Sequence, residues 1–150
     1  MRPSIRKFAA AGCVAILAAC GDPTGSAGDP AALSRALERW SVQDIDDYRM
    51  TIRLQGGMLG GTARITVRDG QPVSVQPLAP DEGMPPRFFE HLDTVDELFE
   101  VLIDAHNDDA HRIDVQYHPQ LGVPMDVYID PERNAIDEEH GFKIEVFEIL

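Results

Sequence analysis

DYRMTIRLQ, residues 47–55, alternates: Tyr48, Met50, Ile52 and Leu54 are apolar, and Arg49, Thr51 and Arg53 between them are polar. A period of two places successive side chains on opposite faces, so the stretch reads as a strand with one face buried and one in water. TARITVRD, residues 62–69, repeats the pattern, with Ala63, Ile65 and Val67 set against Arg64, Thr66 and Arg68. Between the two lies QGGMLGGT, whose four glycines make a hairpin loop. A phosphate cradle would need a helix N-terminus directly after it, and here a strand follows. The pair is therefore an antiparallel hairpin, and Asp69-Gly70 is a tight-turn signal into a third strand, Gln71 to Val75, ended by Pro77.

Upstream of this meander, Asp29-Pro30 offers an N-cap followed by proline at the first helical position. Leu33, Ala36, Leu37 and Trp40 then recur at helical spacing, and Trp40 is expected to anchor that helix on the sheet. Downstream, the prolines of PLAPDEGMPPRFFEHLD, residues 77–93, disfavour helix and interior strand alike. Thr94-Val95-Asp96-Glu97 forms a capping box, and Val95, Leu98, Phe99, Leu102 and His106 continue one helical face to about Asn107. Strands follow at Arg112 to Tyr117 and Val123 to Asp130, joined by a turn at His118-Pro119, and the last strand runs from Phe142 to Ile149. The expected fold is α+β: two α-β-β-β halves forming one mostly antiparallel sheet with both helices packed on one face. No repeat at the level of letters links the halves.

A chain of 150 residues with 43% apolar residues has the size and content of one domain, once the N-terminus is set apart. Residues 1–7 hold Arg2, Arg6 and Lys7, and the next twelve, FAAAGCVAILAA, carry no charge. Twelve apolar residues are too few to span a hydrocarbon core, which takes about 20. A basic segment followed by a short apolar one is instead the form of a secretory signal. Its end, Leu17-Ala18-Ala19-Cys20, resembles the lipobox of bacterial prolipoproteins, in which a cysteine after small residues is lipidated and becomes the first residue of the mature chain. The resemblance implies a lipoprotein signal peptide at residues 1–19, a lipidated Cys20 on a flexible linker through residue 29, and a single folded domain at 30–150. Several acyl chains, at about 0.8 kcal/mol per buried methylene, make a stable anchor where one chain is marginal. GDPTGSAGDP, residues 21–30, is a leash that keeps the domain within about 20 Å of the bilayer on average. Gly21, with no aspartate after the cysteine, permits the outer membrane by resemblance to Gram-negative sorting patterns.

These readings remove whole classes of function. Cys13 leaves with the signal and Cys20 is consumed by lipid, so the mature chain has no thiol for a disulfide, a nucleophile or a metal. Losing Arg2, Arg6 and Lys7 from 13 basic residues against 26 acidic ones takes the formal charge from −13 to −16. Such a body is no general partner for nucleic acid or anionic headgroups.

From Trp40 to Phe147 the chain also resembles a family of small bacterial lipoproteins that carry a domain of unknown function. The residues that carry the likeness are Trp40, Ile45, Asp47-Tyr48, Val67 with Asp69-Gly70, the helix TVDELFEVL, the run VQYHPQLGVP, Ile129-Asp130 and Asp137-Glu138-Glu139. Relatives often have cysteines where this chain has Gly56, Gly57 and Met58, so no role of those cysteines transfers. The resemblance implies a fold and an extracytoplasmic address, and no activity.

Three constellations are candidates for chemistry. If the hairpin pairs symmetrically about its loop, Arg53 faces Arg64 and Arg49 faces Arg68, and four like charges call for a counter-charge; a two-residue slip would keep the faces and stagger the arginines. Carboxylates from neighbouring elements can supply it, or a bound anion held by Arg49, Arg53, Arg64 and Arg68. The loop DPERNAIDEEHG, residues 130–141, gathers Asp130, Glu132, Asn134, Asp137, Glu138 and Glu139, hard oxygen ligands that suit calcium. It fails as an EF-hand, because position six is Ala135 and position twelve is Gly141. A solvated hairpin is the simpler reading, with no cofactor required. Histidines are the third: His106 and His111, five apart, would point about 140° from each other on a helix, and His91, His118 and His140 fall in separate loops. No G-x-S-x-G elbow exists, and the domain's serines are only Ser34, Ser41 and Ser74. No catalytic residue is assigned and the chain is not expected to be an enzyme. It is expected to be a lipid-anchored envelope domain that binds or scaffolds an envelope protein or a small ligand.

Overall fold

The computed structural model describes residues 29–56, 60–79, 84–134 and 137–150; the signal segment and Cys20 lie outside them. Helix α1, Pro30–Ser41, starts where Asp29 accepts a hydrogen bond from Ala31 N–H and Pro30 takes the first helical position, whose N–H has no helical partner in any case. Strands β1, Tyr48–Gly56, β2, Gly61–Arg68, and β3, Gln71–Pro77, form the expected meander. Asp69 and Gly70, at φ 49° and 68°, make a turn whose twist suits a two-residue hairpin. The proline-rich crossing is not wholly irregular, since Pro86–Phe89 forms one 3₁₀ turn with proline at its start and Phe89 fully buried. Helix α2, Val95–Asn107, opens on a complete capping box: Thr94 Oγ1 accepts from Glu97 N–H, and the Glu97 carboxylate accepts from Thr94 N–H. Strands β4, Arg112–Tyr117, β5, Pro124–Asp130, and β6, His140–Ile149, complete the chain.

All six strands lie in one open antiparallel sheet, in the order β3-β2-β1-β6-β5-β4. The connection through α2 carries the chain from one edge of the sheet to the other, which is why a long crossing segment is needed there. The triplets β3-β2-β1 and β6-β5-β4 share a lateral order but run in opposite directions. No rotation superposes them while keeping both helices on one face, so their likeness is one of order along the chain.

One face of the sheet is dry. Met50, Ile52, Ala63, Ile65, Val67, Val127, Ile129, Phe142 and Ile144 join Leu33, Ala36 and Trp40 of α1 and Val95, Leu98, Phe99 and Leu102 of α2 in a single core. Trp40 meets Tyr48 and Phe147 edge-on, at ring centroids 5.7 and 6.1 Å apart, and its Nε1 donates to Asp96 at 2.9 Å. The indole thus ties α1 to the sheet and to the start of α2. At that same point the Tyr48 hydroxyl accepts from Val95 N–H at 2.8 Å, satisfying a helix N-terminal donor that capping leaves over.

Three β-bulges interrupt strict alternation. In β6 the pairing passes from Ile52↔Ile144 to Thr51↔Val146, so Glu145 is the extra residue. This keeps Ile144 and Phe147, three residues apart, on the covered face and turns Glu145 and Val146 to solvent. The edge strand β3 carries Pro72, Pro77 and a bulge at Val73, features that discourage another strand from pairing there. No helix among the described residues is long and apolar enough to cross a membrane.

Candidate functional site

The open face of the sheet holds the arginines, but not opposite one another. The observed register is two residues away from the symmetric one: Arg53 pairs with Thr62, Thr51 with Arg64 and Arg49 with Thr66. Threonine beside arginine removes the like-charge conflict that symmetric pairing creates. Counter-charges come from β6, on the other side of β1, and from the entry to β1. Arg49 pairs with Glu148 at 3.4 Å, Arg53 with Glu145 at 3.2 Å and Arg68 with Asp47 at 2.8 Å. Lys143 and Asp126 add a fourth pair at 2.9 Å. Arg64, between Thr51 and Gln76, has no ion pair among the described residues. The Asp69 N–H and then the Arg68 guanidinium hold the Asp47 carboxyl below its ordinary range. All of these side chains reach solvent, where an ion pair contributes roughly 0–1 kcal/mol.

The acidic segment after β5 is spread out. Asp130 ends β5, Glu132, Asn134 and Glu138 are exposed, and Asp137 sits at φ 67°. Among the described residues, no three His, Cys, Asp or Glu groups come together in a way that could hold a metal ion.

Pairs of histidines line two hollows that the spacing did not indicate. Helix α2 ends at Asn107, and Asp109 at φ 53° turns the chain, so His106 and His111 no longer follow helical geometry. Both line one hollow of about 400 Å³ with Asp109, Arg112 and Pro30, beside the start of the domain. A second hollow, about 330 Å³, opens at the end of β1 and the start of β6. Leu54, Leu92, Val101 and Phe142 give it apolar walls, and Glu90, His91 and His140 bring polar groups. His91 and His140, 49 residues apart in sequence, share it because the crossing segment before α2 packs against the β1–β6 end of the sheet; His118 lies elsewhere, accepting from Leu121 N–H in its own turn. Gly56 and Gly141 also line this hollow; a Cβ would lie 2.3 Å from Glu139 O at the first and 2.0 Å from Val127 O at the second, so neighbouring backbone packs against both positions and leaves no room for a side chain.

Next to the hollow, Asp93 is pushed up to about 6, first by burial and then by its hydrogen bond and like charge with Glu97. Glu97 already accepts from the Asp93 and Thr94 N–H groups, and a protonated Asp93 carboxyl is one more donor to it. Burial also raises the Tyr48 and Tyr117 phenols to about 12. Neither the Asp93–Glu97 pair nor the hollow has a motif; the one trace in the sequence is histidine and two acidic groups flanking the capping box.

A model of a family of unknown function, DUF6174, matches residues 32–149, which is nearly the whole described domain. No curated protein and no solved structure matches the chain. The chain belongs to that family.

Proposed function

We propose, taking membership of a family of unknown function as the premise, that this chain is a non-catalytic binding domain tethered by lipid to a membrane of the bacterial cell envelope, outside the cytoplasm. Cys20 is the tether, residues 1–19 are removed, and the domain works in the cell envelope, facing the periplasm from the outer membrane if the cell is Gram-negative. The LAAC segment and its basic and apolar flanks support the address. The observation that carries the binding role is the one-sided burial of the sheet: six strands present a continuous solvent-facing surface on which arginines alternate with threonine and carboxylate. Such a surface is costless to keep in water and complementary to a protein partner of mixed charge, where salt-sensitive pairs can be exchanged for intermolecular ones.

Membrane fractionation of cells making the wild-type chain or Cys20→Ser tests the address. The wild type sediments with membranes and resists high-salt extraction, whereas Cys20→Ser does not become a salt-resistant lipid-anchored species of mature size. A Cys20→Ser chain that is processed and retained like wild type contradicts the tether. In-cell crosslinking from Arg64, against the same crosslinker at exposed Glu100 on the helical side, tests the binding face. Equal product patterns from both faces contradict it.

A further inference from the structure

We propose that the hollow between the end of β1, the start of β6 and the segment leading into α2 is a binding site for a small amine carrying an apolar ring or chain. The inference does not rest on the lipid tether or on the open sheet face, which lies on the other side of the strands.

Shape and wall chemistry come first. A volume of about 330 Å³ is within the range of small-ligand sites. Leu54, Leu92 and Val101 are only half-buried although they pack against the core, so apolar surface is left for a ligand to cover. Gly56 and Gly141 let the backbone segments at this end of the sheet pack closely on one another, which fixes the rim of the hollow.

Polarity decides the ligand's head. His140 Nδ1 lies 3.2 Å from Glu138 O; a carbonyl only accepts, so Nδ1 donates there, and the tautomer this selects has Nε2 as an acceptor. Glu90 adds a carboxylate, and Asp93, outside the lining, is close enough to interact with the charges of Glu90 and His91. No lysine or arginine lines the hollow among the described residues. Acceptors and negative charge around an apolar floor favour an ammonium group over a carboxylate or phosphate on the same apolar body.

The test compares three probes of one shape: benzylamine, benzyl alcohol and benzoate. The full chain in lipid nanodiscs is titrated with each at pH 7.5 and followed by amide and imidazole NMR shifts, with empty discs as the blank. Benzylamine is expected to bind saturably, at least about tenfold more tightly than benzoate, with shifts centred on Leu54, Gly56, Val101 and His140. Glu90→Gln, an exposed and near-isosteric change, is expected to remove most of that preference while benzyl alcohol binds as before. Benzoate binding as well as benzylamine, shifts centred elsewhere, an unchanged preference in Glu90→Gln, or no saturation by benzylamine each overturns the proposal.

Discussion

Tyr48→Phe isolates the contact that joins the sheet to the start of α2. The ring is 3% exposed, stacks on Phe147 at 5.2 Å and meets Trp40 edge-on, and phenylalanine can keep all of this packing. What is lost is one acceptor, the hydroxyl 2.8 Å from Val95 N–H. Val95 is fully buried, and the other capping acceptors, Thr94 Oγ1 and the Glu97 carboxylate, are already bonded to Glu97, Thr94 and Asp93 N–H groups. The orphaned donor therefore costs about 1–3 kcal/mol, without a cavity contribution. For a domain of this size that is a fall in Tm of roughly 3–10 °C. Urea unfolding followed by the fluorescence of Trp40, the sole tryptophan, measures it directly, and the slope should be unchanged because the exposed surface is. A loss under about 0.5 kcal/mol would falsify the assignment of Tyr48 as the acceptor for α2.

Other consequences are as specific. A carboxyl whose folded pKa is raised favours folding below its unfolded value near 3.8, and that advantage is lost as pH rises through about 6. Asp93→Asn keeps a neutral donor beside Glu97 at every pH, so its Tm should match wild type near pH 4 and exceed it at pH 7. Solvent screening limits the gain to under about 1 kcal/mol, and a pH-independent difference contradicts the shared proton. Arg53→Ala, Glu145→Ala and the double variant should give a coupling energy below about 1 kcal/mol that fades with salt; a larger, salt-independent coupling by thermal denaturation would show that the pair is not solvated. Gly122→Ala forces a Cβ to within 2.2 Å of Ala36 O at a residue with φ 81°, and should cost several kcal/mol or abolish folding; a near-wild-type Tm would contradict the close packing of this turn on α1.

The hairpin patterns, the capping box and the Asp69-Gly70 turn were legible because each depends on residues within about ten positions of one another. Strand order was not. The neighbour of β1 across the sheet is β6, some ninety residues away, and alternation says which face a residue takes without saying which strand lies beside it. That is why Glu145 and Glu148 could not be named as counter-charges for Arg53 and Arg49. The hairpin register was left open between the symmetric pairing and a two-residue slip for a local reason. Pairing about the centre of QGGMLGGT gives every residue a partner, but a two-residue shift keeps each side chain on its face and places threonine against arginine, which relieves charge at no cost in burial. The bulge at Glu145 hid Phe147, since strict alternation from Ile144 points Val146 inward. His106 and His111 share a hollow only because the helix stops between them, and helical spacing holds no information past the stop. His91 and His140 line one hollow through tertiary packing that no local pattern encodes.

The tether is the claim on which the proposed location and role depend, and mass spectrometry of the N-terminal tryptic peptide of the membrane-extracted chain tests it most directly. A processed, lipidated protein yields a peptide running from Cys20 to Arg35 with diacylglyceryl and acyl mass on its first residue. An unmodified Cys20, or peptides from residues 8–19 still joined to it, would contradict the account.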